Sequence, residues 1–318
     1  MQNTNCCPSC KEADRTRVID ILGKPVRVKD YICSADGIRY LKKPENIQLQ
    51  LSVCPTSFCP GHCAFCIAKE TKVHRSLDIR KFRKAMELLK AEDRVRGVKI
   101  TGGEPFYDVK LLKEVVAVLY ETFGTELELS ISTNGMGLEH IHEIPHLSRI
   151  EAIHVSRHHY DDSVNRMLFG GAAVPDASRI KEIVRSVSFP DLFVLNCMLL
   201  KGFIDSREEV HRFLDFSIGV GVPKVGFMDC TPINPFAEEH RISYEDVIRD
   251  EDASLLFTRG FYDHEFCHCR DGVYASPEGD VIEFYGRSTN TDGCKYCRGL
   301  VYDADDHLRD GFGGEIIL

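Results

Sequence analysis

The sequence predicts a mixed α/β fold built around a parallel sheet of six strands. Short apolar strands alternate with amphipathic helices along the centre of the chain, and a loop joins each strand to the next helix. The 318 residues are enough for one large domain with a smaller appendage. Such alternation implies right-handed crossovers between parallel strands. Six units are fewer than the eight of a closed (β/α)8 barrel, so a partial (β/α)6 barrel and an open doubly wound sheet both fit.

Each predicted element has a local signal. The first predicted helix carries Ile79, Phe82, Met86 and Leu89 on one face, with Ser76 as its expected N-cap. The predicted strands are residues 46–53, 97–100, 127–132, 150–155, 192–200 and 224–229. The other predicted helices are residues 108–123, ended by Gly124, a short one at 138–144, one at 177–186, and one opened by a capping box at Ser206.

Composition excludes several classes of protein. A charged fraction of 28% and a hydrophobic fraction of 43% are ordinary for a globular protein, and no apolar run approaches the length of a membrane span. The first residues lack the apolar core of a signal peptide, so we expect a cytoplasmic protein. A net charge of −9 gives no basic footprint for nucleic acid. The basic run at residues 81–84 is expected to be a solvated helix face.

Three segments differ in character. Residues 1–45 are polar and irregular and are predicted to form an N-terminal extension, in which Cys6, Cys7, Cys10 and Cys33 are either metal ligands or simple thiols. Residues 46–237 hold the predicted strands and helices of the core. Residues 238–318 have few helical signals and several glycines, and we expect them to form a small cysteine-rich C-terminal domain.

The cysteines point to metal chemistry. Fourteen cysteines in a chain without a secretory signal favour metal binding or redox chemistry over a disulfide scaffold. Cys59, Cys63 and Cys66 lie within eight residues, directly after the first core strand. A [4Fe–4S] cluster normally takes four thiolates, so three would leave one iron open. The alternative is a zinc knuckle completed by His62 or a distant cysteine, and Cys54 at the strand end is expected not to be a ligand.

This spacing, with Phe65 before the last cysteine, resembles the signature of the radical S-adenosylmethionine (radical SAM) family. Residues 101–105, Thr-Gly-Gly-Glu-Pro, follow the second strand and resemble the GGE motif of that family. The resemblance implies that Gly102, Gly103 and Glu104 meet the methionyl amino group of SAM. The chemistry agrees, because two glycines let backbone approach a ligand and a carboxylate accepts from an ammonium group.

Further matches fall at the ends of later strands. Residues 133–135 resemble the TNG segment of the family, and the resemblance as a whole covers residues 46–235 and implies a partial (β/α)6 TIM-like barrel. It implies SAM contacts from Ser132, Asn134, Ser156 and Asn196, together with cluster ligation by Cys59, Cys63 and Cys66. An equal alternative is that Asn196 is a buried polar residue whose hydrogen bonds are satisfied within the protein.

The family resemblance also implies a reaction. SAM would chelate the open iron of the [4Fe–4S] cluster. One electron from the cluster would then cleave SAM, and the resulting 5′-deoxyadenosyl radical would take a hydrogen atom from the substrate. We expect an oxidative modification of a peptide or small molecule, with a reducing partner such as flavodoxin or ferredoxin. The alternative is a non-enzymatic zinc-binding scaffold or regulatory module with a degenerate barrel, against which the intact cysteine triad argues.

A second cysteine group lies in the C-terminal region. It consists of Cys267, Cys269, Cys294 and Cys297, and it resembles the start of the twitch or SPASM auxiliary-cluster module, although Phe284 stands where such modules place a cysteine. We expect an auxiliary iron–sulfur cluster near the barrel mouth, with zinc as the alternative. Residues 195–232 also resemble the GTP cyclase of molybdopterin synthesis. The chain lacks the C-terminal cysteine spacing and Gly-Gly end of that enzyme, which argues against its activity.

The loop after the fourth strand reads Arg157-His158-His159-Tyr160. The two histidines and the tyrosine are candidates for substrate binding or proton transfer, but adjacent loop histidines are more often surface residues, and we expect that here. Cys197 and Cys230 are candidates for a late hydrogen-atom donor.

Overall fold

The computed structural model describes residues 15–34, 37–66, 73–248, 255–258, 271–288 and 296–318. Its strands are β1 (Thr16–Ile21), β2 (Lys24–Lys29), β3 (Tyr31–Ser34), β4 (Gly37–Tyr40), β5 (Leu49–Val53), β6 (Val95–Ile100), β7 (Glu128–Thr133), β8 (Ala152–Ser156), β9 (Phe193–Leu199), β10 (Lys224–Asp229), β11 (Leu255–Thr258), β12 (Asp271–Ala275), β13 (Val281–Ser288), β14 (Arg298–Tyr302) and β15 (Leu308–Arg309). Its α-helices are α1 (Ile79–Ala91), α2 (Val109–Phe123), α3 (Asp162–Leu168), α4 (Ala177–Ser186), α5 (Arg207–Val220), α6 (Pro235–Glu239) and α7 (Tyr244–Val247). Short 3-10 helices span Pro44–Asn46, Pro105–Asp108, Leu138–Glu143, Leu147–Arg149 and Pro190–Leu192.

One large sheet contains all six predicted strands, β5 to β10, in sequence order. The order across the described sheet is β11-β12-β13-β10-β9-β8-β7-β6-β5-β14-β15, with parallel pairing from β13 to β14. The sheet is open, as a partial barrel requires. The prediction of a parallel α/β sheet with six core strands is confirmed, with strand ends shifted by at most three residues.

The C-terminal region adds two further parallel strands, one on each side of the core. β13 pairs with β10, and β14 pairs with β5. Phe284, which stands where auxiliary-cluster modules place a cysteine, is buried and packs edge-on against Phe227 at 6.5 Å. The described strands of residues 238–318 therefore extend the core sheet, and the division of the chain into three segments stays a prediction.

Helix ends follow the capping rules, with one correction. The carboxylate of Asp78 accepts from the backbone N–H groups of Arg80 and Lys81, so Asp78 caps α1 and the expected cap Ser76 is wrong. Asp78 lies two residues before Arg80 and three before Lys81, so its carboxylate can accept from both N–H groups. The predicted cap Ser206 is confirmed at α5. The basic run at residues 81–84 lies on the exposed face of α1 as expected, with Phe82 buried beneath it.

The N-terminal segment is not irregular where the structure describes it. β1 and β2 form one antiparallel hairpin, and β3 and β4 form another. Apolar residues of the first hairpin, Ile21, Val26 and Val28, are buried in the main core because they alternate with polar ones along each strand. Lys29 N–H donates to the Cys297 carbonyl at 2.9 Å, so the hairpins pack at the amino-terminal edge of the parallel strands.

The core strands have one apolar and one polar face. Leu129 and Ile131 of β7 are fully buried among the core residues. The alternate positions on β7, β8 and β9 form what we call the polar face: Ser130, Ser132, His154, Ser156 and Asn196.

No helix in the described ranges is long and apolar enough to span a membrane.

Candidate active site

The three clustered cysteines lie in one loop at the carboxyl end of β5. We call residues 54–66 the cysteine loop. Cys59, Cys63 and Cys66 are each partly exposed, and none of them forms a disulfide. Two neighbouring segments hold the loop in place: His62 N–H donates to the Phe169 carbonyl at 3.0 Å, and the Asn234 side chain donates to the Ala64 carbonyl at 3.0 Å.

The GGE turn, residues 101–105, packs directly against this loop. Gly103 N–H donates to the Thr56 carbonyl at 3.0 Å, and Glu104 N–H donates to the Phe58 carbonyl at 2.8 Å. A Cβ atom on Gly103 would lie 2.0 Å from the Phe58 carbonyl oxygen. Glycine is therefore required for the close approach of the two loops, a role that the sequence alone did not separate from ligand contact.

Glu104 is buried and bonded to protein donors. Its carboxylate accepts hydrogen bonds from the Phe106 N–H (3.0 Å), the Thr133 hydroxyl (2.6 Å) and the Asn134 N–H (2.7 Å). Burial raises the pKa of Glu104 to about 7, although all three hydrogen bonds lower it. The predicted contact between this carboxylate and the amino group of SAM stays a prediction.

The TNG segment, residues 133–135, reaches the cysteine loop from β7. The Asn134 side-chain nitrogen lies 3.5 Å from the Cys59 sulfur, and its side-chain oxygen accepts from the Met136 N–H at 2.9 Å. The ends of β5, β6 and β7 thus meet at one site, as expected for the carboxyl ends of parallel strands.

The remaining predicted SAM residues lie on the polar face. Ser132 neighbours His154 across β7 and β8, and Ser156 neighbours Asn196 across β8 and β9. The hydroxyl oxygen of Ser132 is buried without a hydrogen-bond partner among the described residues. Such a group is normally satisfied in a native protein, which makes Ser132 a candidate to bind a polar ligand.

Sequence reasoning missed Tyr285 of β13. The hydroxyl oxygen of this buried tyrosine lies 3.4 Å from the Asn196 side-chain oxygen and 3.5 Å from His154 Nδ1. It comes from outside the predicted core, so only the pairing of β13 with β10 brings it to the polar face. The alternative in which Asn196 is a buried, satisfied residue therefore agrees with the geometry.

The loop after β8 corrects an expectation. His158 and His159 are 4% and 8% exposed rather than surface residues, and the Arg157 side chain is fully buried. Arg157 donates to the carbonyls of His159 and Tyr160 and forms a 2.5 Å ion pair with Asp162, which satisfies its guanidinium group. Burial of an unbonded histidine would be costly, so each ring needs partners.

His158 packs beside the cysteine loop. Its ring lies edge-on to Phe65 at 4.9 Å and stacks on Phe169 at 5.0 Å. Its Nδ1 accepts from the Met198 N–H at 3.1 Å, and burial lowers the pKa of His158 to about 3. The ring is therefore neutral at physiological pH and forms part of an aromatic wall.

Two other cysteines in the core differ in position. Cys197 is fully buried in the main hydrophobic core, on the face of β9 away from Asn196, which removes it as a hydrogen-atom donor at the polar face. Cys230 packs in a smaller cluster with Phe65 and Cys63 and stays a candidate.

The auxiliary cysteines are only partly described. Cys6, Cys7, Cys10, Cys267, Cys269 and Cys294 lie outside the described residues, and of Cys33 only the backbone, in β3, is described. Cys297 is fully buried, and its N–H donates to the Gln48 carbonyl at 2.8 Å. This places Cys297 at the amino-terminal edge of β5 and β14, opposite the cysteine loop. The expectation that all of the C-terminal cysteines lie near the barrel mouth is wrong for Cys297.

The donors at the cysteine loop fit an iron–sulfur cluster. Thiolates on one tetrahedral zinc lie less than about 4 Å apart, given Zn–S bonds of about 2.3 Å. The sulfur atoms of Cys59, Cys63 and Cys66 do not all lie within 4.8 Å of one another. Among the described residues, the donor atoms of Asp303, Asp305 and His307 do meet that limit. A larger centre bound through separate thiolates suits their spacing.

The comparisons with known proteins agree with this geometry. The family model described as the Radical SAM superfamily matches residues 53–214, about half of the chain. The chain therefore belongs to the radical SAM superfamily, and it is an enzyme of that class. Members of this family use a [4Fe–4S] cluster and SAM.

Two relatives have a more specific name. Each is described as a probable GTP 3′,8-cyclase, from Sulfurisphaera tokodaii (24% identical, covering 81% of this chain and 79% of the relative) and Archaeoglobus fulgidus (27% identical, 81% and 84%).

Solved structures show the same fold. The Streptococcus suis SuiB structure bound to precursor peptide SuiA aligns with a TM-score of 0.57 at 14% identity, covering 82% of this chain and 59% of that chain. The SuiB structure bound to S-adenosylmethionine aligns with a TM-score of 0.55 at 14% identity, covering 82% and 60%. The chain thus spans about 60% of the length of SuiB, and the likeness shows the fold alone.

Proposed function

We propose that Cys59, Cys63 and Cys66 hold the [4Fe–4S] cluster, and that SAM binds beside it over the carboxyl ends of β5 to β9. The observation that carries this proposal is the contact of the cysteine loop with both the GGE turn and the TNG segment. Three separate strand ends supply one site, which is where ligands bind in parallel sheets. SAM contacts are assigned to Gly102, Gly103, Glu104, Ser132, Asn134, Ser156 and Asn196.

The cluster and SAM, when bound, supply an electron and a 5′-deoxyadenosyl radical that abstracts a hydrogen atom from the substrate. The protein orients these groups and excludes water. Phe65, His158 and Phe169 form an apolar wall beside the cysteine loop. Glu104 holds the end of β7 against the loop, and the Ser132 hydroxyl is available to a polar ligand.

The substrate is proposed to be a peptide or a small molecule that binds on the polar face and is modified oxidatively. SuiB was solved with a precursor peptide, which supports the peptide class. The names of the two curated relatives make GTP a substrate to test.

A second metal centre on Cys267, Cys269, Cys294 and Cys297 remains part of the proposal, as an auxiliary iron–sulfur cluster or a zinc site. A metal bound to Cys297 would lie at the far end of the five-residue strand β5, about 15 Å from the cysteine loop. That separation favours electron transfer or a structural role over direct contact with the substrate. A flavodoxin or ferredoxin is the proposed reductant.

The proposal is tested by anaerobic reconstitution followed by reduction in the presence of SAM. Iron, sulfide and zinc are counted first, because a zinc scaffold would hold zinc and no sulfide. 5′-Deoxyadenosine is then measured with no substrate, with GTP and with a peptide library, and products are sought by mass. Formation of 5′-deoxyadenosine supports radical SAM chemistry, whereas a colourless zinc protein that never cleaves SAM contradicts it.

A further inference from the structure

The side chain of Asn134 connects the end of β7 to a cysteine of the triad. Its backbone N–H donates to Glu104 at 2.7 Å, and its side-chain oxygen accepts from the Met136 N–H at 2.9 Å. The second of these bonds fixes the orientation of the amide, because only the oxygen can accept from a backbone N–H. The group that faces the Cys59 sulfur at 3.5 Å is therefore the NH2 donor.

The Asn134 amide is held rigidly at this position. Asn134 is 8% exposed, and its partner Glu104 is 1% exposed. The Gly61 side of the loop closes over it, since a Cβ on Gly61 would lie 3.4 Å from the Cys59 sulfur and 3.8 Å from the Asn134 side-chain nitrogen. A donor that is buried and fixed by two other bonds loses little freedom when it bonds to sulfur.

The chemistry of this contact shows what the donor does. The neutral amide N–H of Asn134 faces the Cys59 sulfur, and a cysteine that binds a cluster does so as a thiolate. A hydrogen-bond donor beside a thiolate stabilises its negative charge.

We propose that Asn134 is a positioning residue that raises the reduction potential of the cluster through a hydrogen bond to Cys59. This inference rests on the proposed function, because it requires a cluster bound to Cys59. Reduction adds one negative charge to a cluster, and hydrogen bonds to its sulfurs stabilise that charge. Asn134 therefore acts on the cluster through the cysteine, in addition to any contact with SAM.

The test uses two substitutions that differ in what they preserve. Asn134→Ser keeps a short acceptor for the Met136 N–H, so the turn is retained, but its side chain cannot also reach Cys59. Asn134→Ala removes both bonds. Asn165→Ser is the matched control, because Asn165 is also a buried asparagine and its side-chain oxygen accepts from the His158 N–H.

The measurement is a redox titration of the reconstituted full chain without SAM, followed by the electron paramagnetic resonance signal of the reduced cluster. In both Asn134 variants, we expect the ratio of reduced to oxidised cluster at a fixed potential to fall about tenfold, which is 59 mV for a one-electron couple. Asn165→Ser should titrate like the wild type.

The outcomes separate this inference from the proposed function. A wild-type chain that assembles no cluster contradicts the proposed function itself. A wild-type chain that loads the cluster and cleaves SAM, with unchanged potentials in both Asn134 variants, overturns the inference alone. A shift in Asn134→Ala without one in Asn134→Ser also overturns it, because the effect would then come from the turn and not from the bond to sulfur.

Discussion

The Thr133 hydroxyl donates a 2.6 Å hydrogen bond to the buried Glu104 carboxylate, joining the GGE turn to the TNG segment. Thr133 and Glu104 are 29 residues apart in sequence, and their segments lie at the carboxyl ends of the neighbouring strands β6 and β7. The same carboxylate accepts from the Asn134 N–H, whose side chain lies at the Cys59 sulfur. A single buried acidic group thus joins the GGE turn to the end of β7 beside the cysteine loop.

Substitution of Glu104 should change how stability depends on pH. Burial raises the pKa of Glu104 in the folded state to about 7, above an ordinary value of 4.5. Between pH 4.5 and about 7, Glu104 therefore keeps its proton in the folded state but loses it in the unfolded state. Stability from this group is complete below about pH 4.5 and falls by up to about 3 kcal/mol as pH rises through 7.

We expect the free energy of unfolding of Glu104→Gln to vary less between pH 5 and 8 than that of the wild type, because glutamine does not titrate. Urea denaturation of the apoprotein at several pH values measures this. Glu87→Gln is the control, since Glu87 is exposed on α1. Parallel pH profiles for the wild type and Glu104→Gln would show that this carboxyl is ionised throughout.

Gly103→Ala should prevent assembly of the site. The added Cβ would meet the Phe58 carbonyl oxygen at 2.0 Å, so the GGE turn and the cysteine loop must separate. We expect iron loading after anaerobic reconstitution to fall by more than half. Gly219→Ala is the control, because a Cβ on Gly219 of α5 has open space, and alanine there favours the helix by up to about 1 kcal/mol. Equal iron content in the two variants would contradict the close packing of the two loops.

Arg157→Met should destabilise the fold. The buried guanidinium bonds to two backbone carbonyls of its own loop and pairs with Asp162, and methionine leaves these acceptors unsatisfied. Asp162 is 43% exposed and can be solvated, so the loss comes mainly from the buried carbonyls left without a donor, at about 1–3 kcal/mol for each. Thermal unfolding followed by circular dichroism measures the loss. Arg166→Met on the exposed face of α3 should stay close to the wild type, and an unchanged melting temperature for Arg157→Met would contradict the structural role.

The core elements could be predicted because their signals are local. The strand Lys224–Asp229 and the helix Ala177–Ser186 match their predicted bounds, since hydrophobic periodicity and capping residues mark both. The hairpins before residue 41 were missed, although alternation at Ile19 and Ile21 was a usable signal. The places of β13 and β14 could not be predicted, because they depend on pairing with strands far away in sequence.

The same distinction applies to the site. The spacing of Cys59, Cys63 and Cys66 is a local pattern that predicts an iron–sulfur centre, with a zinc knuckle as the alternative. The contact between Asn134 and Cys59 spans 75 residues, and that between Tyr285 and Asn196 spans 89. Hydrophobic periodicity and local motifs do not predict contacts between residues so far apart in the sequence. The burial of His158 likewise depends on Phe65 and Phe169, which come from two other segments.

The cysteine triad is tested most directly by 5′-deoxyadenosine formation in the Cys59→Ala, Cys63→Ala, Cys66→Ala triple variant, assayed anaerobically with SAM and a strong reductant. Single variants Cys54→Ala and Cys230→Ala are matched controls: both are buried thiols to which no cluster is assigned, Cys54 at the start of the cysteine loop and Cys230 packed beside it. We predict that the triple variant forms no 5′-deoxyadenosine, while the wild type and both controls do. Continued formation of 5′-deoxyadenosine by a folded triple variant would contradict the assignment of the cluster to these three cysteines.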